Sequence, residues 1–459
     1  MRNAVATVAL DTLQGDRMQD WLRMTAADLG RGIGAGEIDP VALTETYLDA
    51  IRSHPLRDRI YARLTEERAL TEAMAAHDRA KAGRRRSLLD GVPISWKDLF
   101  DTAGVLTEAG SALLKGRVPA QDAVVLKNAT LAGTVCLGKT HMTELAFSGL
   151  GLNPITQTPP CVNDPEAAPG GSSSGAATSV AFGLAAAGIG SDTGGSVRAP
   201  AVWNDLVGLK TTAGRLSLDG VVPLIISFDT VGPLTRSVED AAHLLGAMEG
   251  STPPDLRGAS LVGRRIAVLK TMALDDLEDR PAAAFADAVS RLSAAGAQVE
   301  EIESPAIREV MDISVVLYTG EAYGQWREVI EANPHLMYDQ IIERFRAGAT
   351  FSAADFAAAW MRLKAARRDW AAATDGYDAV VLPSSAILPP NVKRLESDSD
   401  YFKYANLLAL RNTRMGNLLG LCSLTLPANS PSCGIMFFAR PGTEAALLRL
   451  GAAAETALA

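Results

Sequence analysis

The 459-residue chain has only four cysteines, Cys136, Cys161, Cys422 and Cys433, and no C-x-x-C pair. Scattered in this way they offer neither a disulfide framework nor a zinc site, and they suit a reducing compartment. Histidine is almost as scarce, at His54, His77, His141, His243 and His335. None stands beside a G-x-S-x-G elbow and no H-E-x-x-H occurs, so Ser-His-Asp hydrolases and zinc peptidases lose support together. Long apolar runs are missing as well. The most apolar stretch, residues 180–190, is rich in Gly and Ala and falls short of the roughly 20 residues that span a bilayer. The N-terminal residues acquire charges before any apolar run develops, unlike a signal peptide. Nor does one sign of charge dominate. Lys plus Arg number 44 against 53 Asp plus Glu, a net charge of −9, which argues against phosphate backbones or anionic lipid as partners. These absences predict a cytoplasmic protein that binds neither nucleic acid nor membrane.

What is present is globular in texture. Hydrophobic residues make up 47% and charged residues 21%, which excludes a disordered chain. The length allows about three domains at roughly 150 residues each, and one continuous α/β domain equally well. Residues 24–53 read as two amphipathic helices broken between Gly36 and Pro40, and Leu64–Arg79 as a third. The basic run Lys81–Arg86 reads as a solvated loop. From Gly91 to Gly232, short β-type runs (Val92–Trp96, Thr134–Leu137) alternate with small-residue helices, a texture of βαβ units and a largely parallel sheet. After a break at Ser251–Gly258 come a strand (Arg265–Leu269), a helix (Pro281–Ala295) and a strand (Gln298–Ile302). Residues 305–376 read as a helical cover, Ala379–Pro383 as a strand, and Leu424–Phe437 as a last β-rich stretch before a C-terminal helix.

Gly133–Thr140 (GTVCLGKT) matches the phosphate-binding pattern G-x-x-x-x-G-K-S/T. That loop needs a strand before it and a tight turn of backbone donors inside it. Here a helix-like segment, Asp122–Leu131, precedes, and the middle residues are apolar and β-branched, so Thr134–Leu137 reads better as the strand itself. Asp229 is the candidate magnesium ligand for the nucleotide reading. Asp98, Glu144 and Asp192 form no recognisable carboxylate pair, and His141 reads as a structural histidine.

Serine and glycine carry more information. Pro169–Gly175 (PGGSSSG) and Gly188–Pro200 (GIGSDTGGSVRAP) flank an apolar helix, Ala176–Ala187, so neither behaves as a flexible linker. Glycines permit turns in which the N–H groups of Thr193, Gly194, Gly195 and Ser196 converge, as an oxyanion hole requires. A serine nucleophile without histidine needs another base, and lysine is the known substitute. Lys97 in Gly91–Asp98 (GVPISWKD) occupies a β-type run, with Trp96 on the opposite face. A free lysine is only about 0.04% neutral at pH 7, a cost of roughly 4.6 kcal/mol, which burial among Val92, Ile94, Leu99 and Phe100 removes in large part. On that segment alone, a surface Lys97–Asp98 pair is the plainer reading.

Together these residues resemble the amidase signature family, serine hydrolases with a Ser–cis-Ser–Lys triad. The resemblance rests on Gly91–Asp101 (GVPISWKDLFD), Gly138–Gly149 (GKTHMTELAFSG), Pro169–Gly175, Gly190–Pro200, Val207–Lys210 (VGLK) and Gly232–Asp240 (GPLTRSVED). It is strong over residues 24–250 and weaker toward the end, where Thr425–Ala439 and the final helix resemble the closing strand and helix. Ser172 follows Lys97 by 75 residues and Ser196 follows Ser172 by 24, the separations expected for the triad. The resemblance implies one α/β domain over residues 24–459, with a large mixed β-sheet sandwiched between helices, core motifs in 91–240 and a short extension at 1–23. It implies Ser196 as nucleophile, Ser172 on a cis peptide as proton shuttle, and Lys97 as neutral base. Thr193, Gly194, Gly195 and Ser196 would hold the oxyanion, and Ala146 would line the acyl pocket. No metal and no organic cofactor is implied, and a homodimer is admitted. The chain departs from the family pattern at Ser174, Ala176, His141, Asn204–Leu206 and Thr211, and Gly434–Phe437 lacks the usual Gln. None of these is a triad position.

Three activities remain open on the sequence alone. The first is hydrolysis of a non-peptide carboxylic amide, a small or aryl acylamide, with esters and carbamates as further acyl donors. The second is the glutamine-hydrolysing subunit of a tRNA-dependent amidotransferase. Its glutamine would need an Arg for the carboxylate and an Asp for the amine, and Asn406–Gly420 offers Arg411 and Arg414 but no Asp. The third is nucleotide binding through Gly133–Thr140. Tyr318, Tyr323, Trp326, Phe345 and the loop Gly149–Cys161 are the expected walls of an acyl channel.

Overall fold

The computed structural model describes residues 20–459; residues 1–19 of the expected N-terminal extension lie outside it. The first helices form where local chemistry dictates. Thr25 caps Ala26–Ala35 by accepting the Asp28 N–H, and Gly36 ends that helix at φ 74°, in the left-handed region open to glycine. Asp39 then accepts from the N–H groups of Val41 and Ala42 with Pro40 in the first turn, so the next helix, Pro40–Ser53, starts where its first backbone donors find a partner. Leu22, inside the expected extension, is already buried against the core.

Among the described residues, eleven strands form a single sheet: β1 (Tyr61–Leu64), β2 (Pro93–Lys97), β3 (Val135–Thr140), β4 (Ala187–Ser191), β5 (Val207–Lys210), β6 (Val231–Thr235), β7 (Arg265–Leu269), β8 (Gln298–Ile302), β9 (Ala379–Pro383), β10 (Cys422–Pro427) and β11 (Gly434–Ala439). Their spatial order is β1-β3-β2-β4-β6-β5-β10-β11-β9-β7-β8. β2 runs parallel to both β3 and β4, and β7 runs parallel to β8 and β9. The other neighbours are antiparallel. The sheet is therefore mixed, and the largely parallel sheet read from the texture of 91–232 is corrected. β5 and β6 are joined by the helix-free segment 211–230, and without a crossover helix the chain returns antiparallel. The central strands β2 to β6 are buried on both faces. β8 closes one edge with exposed Gln298, Glu300 and Glu301, charges and amides that discourage further strand pairing.

Helices cover the sheet. Ser174–Ala181 packs on β2, β3, β4 and β6, Val238–Glu249 on β5 and β6, and Glu444–Leu458 on β10 and β11. Ala306–Asp312, Ser314–Ala332, Asp339–Arg346 and Ala353–Ala373 pack on one another as the cover expected over 305–376. Three local readings change. The helix read as Ala176–Ala187 stops at Ala181, because Phe182 caps it and Gly183 turns left-handed at φ 75°. The strand placed at Thr134–Leu137 runs from Val135 to Thr140. A 20-residue helix, Ser399–Leu418, lies between β9 and β10, where the sequence reading placed no element. No helix among the described residues is long and apolar enough to cross a membrane. The extended path of Val135–Thr140 after a helix at Val124–Leu131 differs from a phosphate-cradling turn. Lys139 is buried, donating to Thr107 Oγ1 at 2.9 Å and paired with Asp98 at 3.3 Å.

A Cβ added at Gly232 in β6 would lie 1.9 Å from the Leu209 carbonyl oxygen in β5. Two paired backbones cannot separate there without breaking their ladder. Gly232→Ala is expected to cost roughly 1–3 kcal/mol or more, as other overpacked sites do, read as a lower midpoint in urea unfolding.

Candidate active site

Parallel β2 and β4 end side by side, Trp96 opposite Ile189, and their C-terminal ends carry the site. Strand alternation sends Trp96 to one face, edge-on to Phe100 at 5.3 Å, and Lys97 to the other. Lys97 is fully buried. Its Nζ donates to Ser172 Oγ at 2.7 Å and to Ser191 Oγ at 2.8 Å. It does not pair with Asp98, which is held by Arg63 at 2.6 Å and by Lys139. The surface-pair reading of Lys97 is thus overturned. Burial pushes the Lys97 amine down to about 7, against the opposing pull of the Asp229 and Asp192 carboxylates. Hydroxyl neighbours do not repay the desolvation of an ammonium as a carboxylate would.

Ser172 sits in the loop after Pro169, and the Gly171–Ser172 peptide is cis. The loop is pinned from both sides. The Gly171 N–H donates to the Gly149 carbonyl at 2.8 Å, and the Thr143 N–H to the Ser172 carbonyl at 3.2 Å. The Ser173 N–H donates to the Ser196 carbonyl at 3.2 Å, which sets the two serine-bearing segments against each other. No side chain fits at Gly171, where an added Cβ would lie 2.6 Å from the Gly151 nitrogen.

The segment after β4 folds around the buried carboxylate of Asp192. Its Oδ1 accepts from the Gly195 N–H at 2.8 Å, from Arg198 Nη2 at 2.9 Å and from Asn417 Nδ2 at 2.9 Å. Its Oδ2 accepts from the Val197 N–H at 3.1 Å and from Arg198 Nε at 3.0 Å. Burial opposes ionisation of Asp192, but Arg198 outweighs it and holds the carboxyl well below its usual range. The carbonyls of Thr193 and Gly194 turn outward, accepting from the Tyr318 hydroxyl and from Thr413 Oγ1, each at 2.8 Å. Thr193 Oγ1 donates to Asp229, a carboxyl that burial raises to about 6. Asp229 also accepts from the N–H groups of Leu224 and Ile225, so its carboxylate is taken up in bracing this turn. The Gly195 N–H is committed to Asp192. The N–H groups of Thr193, Gly194 and Ser196 have no protein acceptor among the described residues.

Ser196 opens on a cavity of about 210 Å³ with Ala146, Phe147, Thr193 and Gly194 in its wall. Leu145 and Ala146 have φ 44° and 61°, left-handed values that non-glycine residues rarely take and that cluster at functional sites. Of the aromatics expected to wall a channel, only Tyr318 lines the cavity. Tyr323 donates to Glu331, Trp326 Nε1 to the Pro223 carbonyl, and Phe345 packs behind Phe147 at 4.7 Å. The loop 149–161 stays outside. The sequence reading missed Leu407 and Leu410 as walls, and also Arg344; Arg414, considered there only for glutamine, joins them. The spacing 407, 410, 414 follows one helix face and was the available signal. A larger cleft, about 350 Å³ between Arg367, Trp370 and Arg440, contains no serine or lysine of the site.

Comparison with known proteins places the chain in a family. The family model described as Amidase matches residues 42–448. The 2-amino-5-chloromuconic acid deaminase of Comamonas testosteroni is 33% identical over 432 residues, 91% of this chain and 93% of the relative. A glutamyl-tRNA(Gln) amidotransferase subunit of Cereibacter sphaeroides is 32% identical over 93% of this chain and 95% of its own. A crystal structure of an amidase superposes with TM-score 0.86 at 30% identity, covering 95% of this chain and 100% of that one. The native peptide amidase of Stenotrophomonas maltophilia gives 0.79 at 27%, covering 95% and 97%. The chain therefore belongs to the amidase family, enzymes that hydrolyse carbon–nitrogen bonds other than peptide bonds.

Asp192→Asn would leave the buried Arg198 guanidinium without a countercharge. Breaking a buried pair from one side costs about 3–5 kcal/mol, so chemical unfolding of this variant is expected at a much lower denaturant midpoint, and an unchanged midpoint would contradict the role given to Asp192.

Proposed function

We propose that the protein hydrolyses a small non-peptide carboxylic amide through an acyl-enzyme on Ser196. The observation that carries this reading is the bond to Ser172 Oγ from a fully buried Lys97 amine, whose pKa burial lowers to about 7. Neutral Lys97 takes a proton from Ser172, Ser172 takes one from Ser196, and Ser196 Oγ bonds to the substrate carbonyl carbon. The carbonyl oxygen gains negative charge as it becomes tetrahedral. The N–H groups of Thr193, Gly194 and Ser196 are the donors free to meet it, and Gly195 contributes by holding the turn on Asp192. The C–N bond then breaks, and Ser172 returns a proton to the nitrogen, since an amide anion is too poor a leaving group. Water cleaves the ester by the same relay. Ala146 forms part of the acyl wall, and esters and carbamates fit the same chemistry.

The amidotransferase reading is less well supported. A glutamine substrate brings an α-ammonium, and the cavity has Arg344 and Arg414 in its wall but no Asp or Glu to meet it.

A fluorophosphonate is expected to label Ser196, located by peptide mass spectrometry; labelling at another serine, or none in folded protein, would sink the assignment. Lys97→Ala should lower kcat for an amide by about 1,000-fold, within the range for a lost general base. Because the base works unprotonated, kcat/KM should rise about tenfold per pH unit below 7 and level off above it. Asp229 and Asp192, the charges that bear on Lys97, shift that inflection without reversing its sign.

A further inference from the structure

The cavity beside Ser196 holds two guanidinium groups and no acidic side chain. Arg414 comes from the helix Ser399–Leu418 and Arg344 from the helix Asp339–Arg346. Neither makes an ion pair or a hydrogen bond to protein among the described residues, and the Nε of Arg344 is a buried donor without a partner. The Arg344 guanidinium lies over the Phe147 ring at 4.7 Å, so an aromatic face, and no carboxylate, sets its position. Arg85 and Arg215 likewise leave a buried Nε without a partner, but their terminal nitrogens reach the Leu88 carbonyl and the Glu444 and Glu249 carboxylates, and other buried arginines are met too. Arg198 has Asp192, Arg236 reaches five backbone carbonyls, and Arg411 bonds Asn412 and the Ala273 carbonyl. Burial and mutual repulsion push Arg344 down to about 9, and burial also lowers Arg414. Two desolvated cations sharing a pocket without an anion are costly, and a ligand carboxylate supplies the missing partner with the planar geometry a guanidinium fork matches.

We propose that Arg344 and Arg414 form an anion subsite, and that the substrate is an amide bearing a carboxylate in the same small molecule. The compact cavity places the reacting serine and both guanidiniums around one ligand, and the shortest molecules that satisfy both ends are monoamides of short dicarboxylic acids. Hydrolysis converts such a monoamide and water into the dicarboxylate and ammonia. This inference rests on the Ser196 amidase reading for its chemistry, though not for its binding.

The test uses malonamate, succinamate and glutaramate against the corresponding neutral diamides. In calorimetry with the Ser196→Ala protein, at least one monoamide should bind on the order of 100-fold more tightly than its diamide, the discrimination expected when a buried charge loses its partner. Arg344→Met and Arg414→Met, in the same background, should each collapse that ratio toward one. Melting curves without ligand check that both variants fold, and removal of an unpaired buried charge should leave their midpoints equal to or above that of the parent. Equal affinity for monoamide and diamide, or a ratio that survives both substitutions, would overturn the subsite. Tight monoamide binding in a protein whose Ser196 resists fluorophosphonate would instead overturn the amidase chemistry and leave the subsite standing.

Discussion

The site depends on keeping one amine out of water without giving it a carboxylate. Lys97 ends a strand buried on both faces, and its Nζ is met by the hydroxyls of Ser172 and Ser191. An adjacent carboxylate would favour the ammonium and restore an ordinary lysine. The fold diverts each nearby acid elsewhere. Asp98, next in sequence, is taken by Arg63 and Lys139; Asp192 is taken by Arg198; Asp229 accepts from Thr193 and from two backbone N–H groups. Charge segregation within a few residues is what leaves Lys97 with hydroxyl partners alone.

The same segregation shapes the serine turn. Asp192 gathers the N–H groups of Gly195 and Val197 inward, while Tyr318 and Thr413 pull the carbonyls of Thr193 and Gly194 outward. The Thr193 carbonyl and the Gly194 N–H belong to one peptide and point in opposite directions, so Tyr318 on the cover aims a free donor; the Gly194 carbonyl held by Thr413 shares its peptide with the Gly195 N–H that Asp192 accepts. Gly195 is held at φ 134°, where an added Cβ would lie 2.1 Å from Thr413 Oγ1. The turn is therefore packed directly on the helix Ser399–Leu418, which contributes cavity walls as well. The serine turn and the cavity wall come from elements more than 100 residues apart in the chain, joined by Tyr318 and Thr413.

Much of this was legible in the sequence where the determinants are local. Gly36, Asp39 and Pro40 mark a helix break by their own backbone preferences. The Ser/Gly motifs report positions where two backbones touch, as at Gly171 and Gly195. Lys97 itself was ambiguous: strand alternation placed it on one face, but whether that face was wet depended on strands distant in sequence. The walls were the least legible part. Tyr318, Tyr323, Trp326 and Phe345 are alike in composition, and only packing separates the one that meets the cavity. Arg344 drew no reading, because nothing local in the sequence says that its face of the helix is covered. β1, four residues with one buried side chain, is too short for alternation to register, and its Leu64 reads as the start of the helix that begins at Glu66.

The central claim is that Lys97 is neutral at the pH where Ser196 is activated, and its protonation can be read directly. In protein labelled with ¹³C and ¹⁵N at lysine, the side-chain resonances of Lys97, assigned by their loss in Lys97→Met, should titrate near pH 7, far below an exposed lysine. A Lys97 that remains an ammonium up to about pH 10, as a free lysine does, would contradict the account, because no proton could then pass from Ser196 through Ser172 to the amine.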